Sequence, residues 1–120
     1  MVEVEDTRGR FVLLSNGVRI PAPGPVAEAQ AFEETVVVVL TWISGRRRSG
    51  WRRVRADNVY GYDFQGRRRW RVGSHPDDAH GRNYAGFIEH APGPTLFEVA
   101  GWHVTLDEST GKILRSECVR

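Results

Sequence analysis

The chain has 120 residues, 40% of them hydrophobic, with 17 Lys or Arg against 15 Asp or Glu and one cysteine. A chain of this length is one domain, here 1–120, whose folding hides roughly two-thirds of the surface the unfolded chain exposes, so it needs no staples. The lone Cys118 excludes an internal disulfide. Together with an acidic start that lacks the charge and apolar run of a secretory leader, it points to a reducing, cytoplasmic location.

In chain order, Phe11-Val-Leu-Leu, Ser15-Asn16-Gly17 and Val18-Arg-Ile20 predict a hairpin, because Asn-Gly tolerates the positive φ of tight turns. Pro21, Pro23 and Pro25 force an extended linker. The piece from Val26 to Glu34 reads as an extended connection or at most one helical turn, since its Ala and Glu favour helix but three prolines precede it. Thr35 to Ile43 is a strand whose consecutive apolar residues put it at the centre of the fold, covered on both faces. Its apolar core, 36–40, is far too short to span a bilayer. After an arginine-tipped loop and a short strand or loop wall at Trp51 to Arg55, Asn58 to Val72 predicts a second hairpin. Asp63 and Gly66 there take the first and last positions of a type I turn. Strands follow at Tyr84 to His90, Thr95 to Ala100, Trp102 to Leu106 and Lys112 to Val119, with Gly101 a tight bend or bulge.

The expected architecture is all-β: a single antiparallel domain of seven to eight short strands, packed as a sandwich or partly open barrel. The expected core is Val37, Val39, Leu40, Trp42, Tyr60, Trp70, Phe87, Phe97, Trp102, Leu106 and Ile113. In the second hairpin, period-two alternation puts Tyr60, Tyr62 and Phe64 on one face, sends Arg68, Trp70 and Val72 inward, and lines Arg67, Arg69 and Arg71 along solvent.

The charge is uneven. Residues 1–34 carry a net −3, residues 35–75 a net +8, and residues 76–120 a net −3. Either a partner binds the basic middle, or the acidic flanks pair with it inside the molecule. The candidate partner-binding residues are Arg46, Arg47, Arg48, Trp51, Arg52, Arg53, Arg55, Arg67, Arg69 and Arg71. Arginine among aromatics suits the hot spot of an interface with an acidic protein. It also suits phosphates and stacked bases, with Tyr60 and Tyr62 as the rings, and it equally fits a solvated basic edge that discourages edge-to-edge strand pairing.

Other chemistry has weaker footing. Ser74-His75-Pro-Asp77-Asp78-Ala-His80 holds metal-ligating side chains, but its spacing matches no metal motif, and a polar loop with Asx turns explains it. Cys118 has no neighbouring base. His103 lies on a strand, and Glu89-His90 and Asp107-Glu108 are acids or imidazoles with no shown convergence. No nucleophile elbow and no phosphate-cradling glycine loop exists. The sequence therefore predicts no enzyme, no catalytic residue, no metal and no cofactor.

One pattern repeats. Tyr60-Gly-Tyr-Asp63, then Gly66 and Trp70, is echoed by Val104-Thr-Leu-Asp107, then Gly111 and Leu114. It resembles the hairpins of quinoprotein-type β-propeller blades. A propeller has about four blades or more, and this chain has room for two or three, so it closes only if chains assemble. The motif Asn-Val-x-x-x-Asp-x-x-Gly-x-x-x-Trp at Asn58 to Trp70, with Gly-x-x-x-x-Leu-Asp-x-x-Thr-Gly-Lys at Gly101 to Lys112, also resembles small bacterial all-β proteins; it implies a fold and no activity. The expectation is a binding module without membrane contact. Its partner is an acidic protein in preference to nucleic acid, as for an immunity or neutralising protein, and the blade-like edges leave room for a homo-oligomer.

Overall fold

The computed structural model describes residues 1–46, 52–54 and 56–119, with 43–46 and 52–54 by backbone alone. The strands are β1 (Val4–Arg8), β2 (Phe11–Leu14), β3 (Arg19–Pro21), β4 (Val26–Ala31), β5 (Val36–Leu40), β6 (Ile43–Arg46), β7 (Arg52–Val54), β8 (Val59–Tyr62), β9 (Arg68–Arg71), β10 (Tyr84–Phe87), β11 (Thr95–Glu98), β12 (Trp102–Leu106) and β13 (Ile113–Cys118). They pair antiparallel into an N-terminal sheet β1-β2-β3, a central sheet β4-β5-β8-β9, a C-terminal sheet β10-β11-β12-β13 and a ribbon β6-β7. The described residues contain no helix, and so none long and apolar enough to cross a membrane.

All five residues of β5 are buried, and their alternation shows why. Val36, Val38 and Leu40 join Tyr60 and Tyr62 in a cluster with Val12, Leu14 and Ile20 of the N-terminal sheet. Val37 and Val39 join Val59, Trp70 and Val72 in a second cluster with Tyr84, Leu96, Val104 and Leu106 of the C-terminal sheet. The central sheet is thus the middle of three layers, and its continuous valine run is what two covered faces require. This corrects the two-layer sandwich or barrel of seven to eight strands: a strand apolar on both faces needs a third layer.

Two further corrections concern local reading. Residues Val26–Ala31 form a six-residue strand, because pairing with β5 along Ala29↔Val38, Gln30↔Val37 and Ala31↔Val36 overrides their helix propensity. Phe97 is not core. Its neighbour Leu96 and the facing Val104 are buried, so alternation turns Phe97 and His103 to the outer face, where they pack edge to face at 5.9 Å. Trp102, Phe87 and Ile113 are partly buried against the second cluster.

Each sheet contains the same hairpin. Leu14, Asp63 and Asp107 each donate their backbone N–H to the far side of the turn, to Val18 at 2.9 Å, Arg67 at 2.9 Å and Lys112 at 2.8 Å. Each turn ends on a glycine at positive φ, at +87° for Gly17, +90° for Gly66 and +74° for Gly111. The turn from Asp107 to Gly111 is one residue longer than that from Asp63 to Gly66. The strand partners therefore equate Trp70 (opposite Gly61) with Arg115 (opposite Thr105) and with Ile20 (opposite Val12), not with Leu114.

The layers are joined by specific bonds. Trp70 lies against Gly61 and Gly111, where a Cβ at either glycine would overlap the indole, and its Nε1 donates to the Glu108 carbonyl at 2.7 Å. Asn58, fully buried, donates from Nδ2 to the carbonyls of Leu40 at 2.7 Å and Tyr84 at 2.8 Å, and its Oδ1 accepts the Tyr84 N–H at 2.9 Å. The Glu28 carboxylate accepts the Phe87 N–H at 2.7 Å.

Candidate functional site

The β8–β9 hairpin builds its turn as its composition demands. The Asp63 carboxylate accepts the N–H groups of Gln65 and Arg67, each at 2.9 Å, the Asp63 carbonyl accepts Gly66 N–H at 3.1 Å, and Gly66 supplies the positive φ after a type I turn. The Arg67 N–H holds the Asp63 carboxyl below the usual value of 3.8, helped by Gln65 N–H and by the charges of Arg67 and Arg69. Asp107, in the equivalent turn, is lowered by the hydroxyl and N–H of Ser109. Depressed carboxyl pKa values give stability that is present above the unfolded value and lost as pH falls through the folded one. Thermal melts should hold steady from neutral pH down to about 4 and then lose stability from these two turns. Asp63→Asn should flatten part of that acid limb; an unchanged acid limb would remove Asp63 from the account.

The hairpin does not carry a row of three arginines. The pairs Gly61↔Trp70 and Tyr62↔Arg68 leave Arg69 as an extra residue in β9. Such a bulge breaks period-two alternation. Arg68 is therefore exposed rather than inward, and its guanidinium stands 5.2 Å from the Tyr60 ring centre, with that of Arg71 at 5.3 Å from the same ring. Arg71 also donates to the carbonyls of Asp57 at 3.0 Å and Ala56 at 3.1 Å. Arg69 goes another way, donating to Thr35 Oγ1 at 2.8 Å and Glu34 carbonyl at 3.4 Å, and Thr35 Oγ1 in turn donates to the Glu108 carbonyl. It braces the β4–β5 turn. Arg67 pairs with Asp63 at 3.4 Å, both in contact with solvent, a pair of small energetic value.

Arg46 faces Arg52 across the β6–β7 ribbon, and Arg53 lies beside Arg52 on β7. Arg47, Arg48, Trp51 and Arg55 lie outside the described residues. Tyr60 and Tyr62 are 6% and 4% exposed, so neither offers a ring for base stacking. Among the described residues, Arg68 and Arg71 form no ion pair with a carboxylate. Alternation read from the sequence sent Arg68 inward; only the bulge decides which of the three consecutive arginines face together.

The 75–80 loop is tied to the fold. His75 Nε2 is 2.9 Å from the Thr110 carbonyl, and the buried Asp78 carboxylate accepts the Ile113 N–H at 3.0 Å, so the 75–80 loop is hooked to the β12–β13 turn. Among the described residues, no three His, Cys, Asp or Glu side chains are grouped to hold a metal ion. Cys118 is exposed, opposite Trp102. Tyr84 is fully buried, and burial pushes its hydroxyl up to about 12, which keeps it a neutral phenol.

Residues 1–118 match the family model described as Domain of unknown function (DUF7957). No curated protein and no solved structure matches the chain significantly.

Proposed function

We propose that this chain, which belongs to the DUF7957 family, is a non-enzymatic binding module that takes an acidic protein partner on its β9 edge, in the manner of an immunity or neutralising protein. The observation that carries this reading is the pair of guanidinium groups over Tyr60. Arg68 and Arg71 converge on one ring, lie on an edge strand and meet no carboxylate among the described residues. Two guanidiniums gathered over one ring suit an acidic side chain better than a diffuse basic surface does, because planar donors select a carboxylate by geometry as well as charge. The ribbon with Arg46, Arg52 and Arg53 adds steering charge. The buried tyrosines weigh against single-stranded nucleic acid, whose binding draws on exposed rings. The same reading takes the sheets as blade-like units, supported by the hairpin that recurs in each.

The test replaces Arg68 and Arg71 with Ala and compares partner recovery from native lysate, with an Arg10→Ala chain, exposed and outside both faces, as control. The expected result is a specific acidic protein lost with the double variant and kept with the control, corresponding to affinity weaker by about tenfold or more, ~1.4 kcal/mol. Equal recovery of every partner would show that this edge is not the site. Anisotropy with DNA and RNA oligonucleotides at about 50 and 200 mM salt separates the other partner class: tight binding with a steep salt slope would replace the protein partner by nucleic acid.

A further inference from the structure

We infer that the outer face of the N-terminal sheet is a docking face for the outer face of the C-terminal sheet of a second copy of this chain. The argument rests on what the equivalent hairpins do at the two junctions inside the molecule. At each junction, one sheet seats a side chain on the turn glycine of the next. A Cβ at Gly66 would meet Val18 Cγ1 at 3.3 Å and Ile20 Cγ1 at 3.7 Å, and a Cβ at Gly111 would overlap the Trp70 ring. Ile20 and Trp70 occupy equivalent positions. The third member of the set, Arg115, lies on the outer face of the last sheet with its side chain 74% exposed. The third glycine, Gly17, has nothing within 4 Å of where its Cβ would stand. Among the described residues, the C-terminal sheet thus carries a seating residue with no turn to sit on, and the N-terminal sheet a turn with no residue seated on it.

The covering faces tell the same story. Phe11, Leu13 and Arg19 match Tyr60, Tyr62 and Arg68 position for position, since Leu13↔Arg19 corresponds to Tyr62↔Arg68. Arg19 stands 3.8 Å over the Phe11 ring as Arg68 stands over Tyr60. Where the central sheet carries this arrangement, the N-terminal sheet buries its two rings to 6% and 4% exposure; where the N-terminal sheet carries it, Phe11 and Leu13 remain 38% and 37% exposed. They line a groove of about 410 Å³ with Asp6, Arg8 and Arg19.

A second copy supplies both missing halves at once. Its C-terminal sheet presents Phe97 and Thr105 on the outer face, with Arg115 bonded, among the described residues, to Glu117 of its own strand at 3.3 Å. Arg19 and Asp6 on one face can take Glu117 and Arg115 on the other, so the charges are complementary. Like-to-like pairing of two N-terminal sheets would instead set Arg8 and Arg19 against their own copies and leave Arg115 and Gly17 unsatisfied. The docking is front to back, a heterologous contact that closes into a ring if the rotation per copy allows. It continues the two junctions already present in the chain and does not depend on the partner proposed for Arg68 and Arg71.

Sedimentation velocity from about 1 to 100 µM, where modest interfaces assemble, reads this directly. The expected mass is a multiple of 13.6 kDa, twice that value if two copies close. Leu13→Arg and Phe97→Arg, both at exposed positions, should each return the chain to 13.6 kDa with an unchanged melt. Mixing the two variants should restore association, because each retains the face the other lacks. A mass of 13.6 kDa at every concentration overturns the proposal. So does dissociation by Leu13→Arg alone, which would mark like-to-like pairing.

Discussion

Trp70→Ala is expected to cost about 3–5 kcal/mol in a denaturant titration, as emptying an aromatic core site does. The magnitude follows from the indole's neighbours. Trp70 is 5% exposed, lies against Gly61 on the paired strand and packs against Gly111 in the next sheet. Neither glycine has a side chain that can move into the void, so the cavity collapses poorly. An aromatic ring laid over a strand glycine also shields backbone that glycine would leave open. The lost Nε1 bond is a smaller part, because the Glu108 carbonyl keeps the Thr35 hydroxyl as a donor. Gly61→Ala should be comparably damaging in the wild-type background, since the new Cβ meets the indole, and much less damaging beside Trp70→Ala. That non-additivity is the signature of direct contact. A loss under about 1 kcal/mol for Trp70→Ala, with an unchanged denaturant slope, would show that the ring does not hold the two sheets together.

The hairpin that carries Trp70 is legible from sequence because its turn chemistry is local. Asp63 satisfies two N–H groups and Gly66 takes a positive φ, so Asp-x-x-Gly between aromatic strands has one economical solution. The buried valine strand is legible for a similar reason. What escaped is set at a distance. β4 is strand because β5 lies beside it, and its own residues argue for helix. The facing of Arg68, Arg69 and Arg71 depends on one extra residue in β9, and nothing local marks which residue is extra. The sequence echo between the second and third hairpins is real but slips by one, because the Asp107 turn holds one residue more; Leu114 is 62% exposed while Arg115 takes the position of Trp70. Parity also decided Phe97. Either Leu96 or Phe97 had to face inward, and the larger residue was the poorer choice because the inner space is already filled by Trp70 and Tyr84. Of the candidate site, the basic edge was visible as composition, whereas the pair over Tyr60 was not.

Asn58 shows the same limit from the side of polarity, and its replacement is the second large effect. Asn58→Ala is expected to cost about 3–5 kcal/mol, although it removes only a short side chain. Asn58 is fully buried just before β8, and its amide makes three bonds, two of them to Tyr84 in the adjoining sheet. Truncation strips bonds from two carbonyls and one N–H around a fully buried residue, and each buried group left short costs about 1–3 kcal/mol. Asn58→Asp separates this from a cavity effect. It keeps the shape but exchanges the donating amide for a carboxyl that burial holds protonated to higher pH. Its folded pKa is then raised above the unfolded one, so the variant's stability falls as pH rises through the unfolded value, opposite in sign to the Asp63 and Asp107 contribution. The difference between wild type and Asn58→Asp should therefore be smallest in acid and grow toward neutral pH. A pH-independent gap would mean that the site admits water, and the bonds from Asn58 to Tyr84 would then not be what joins the two sheets.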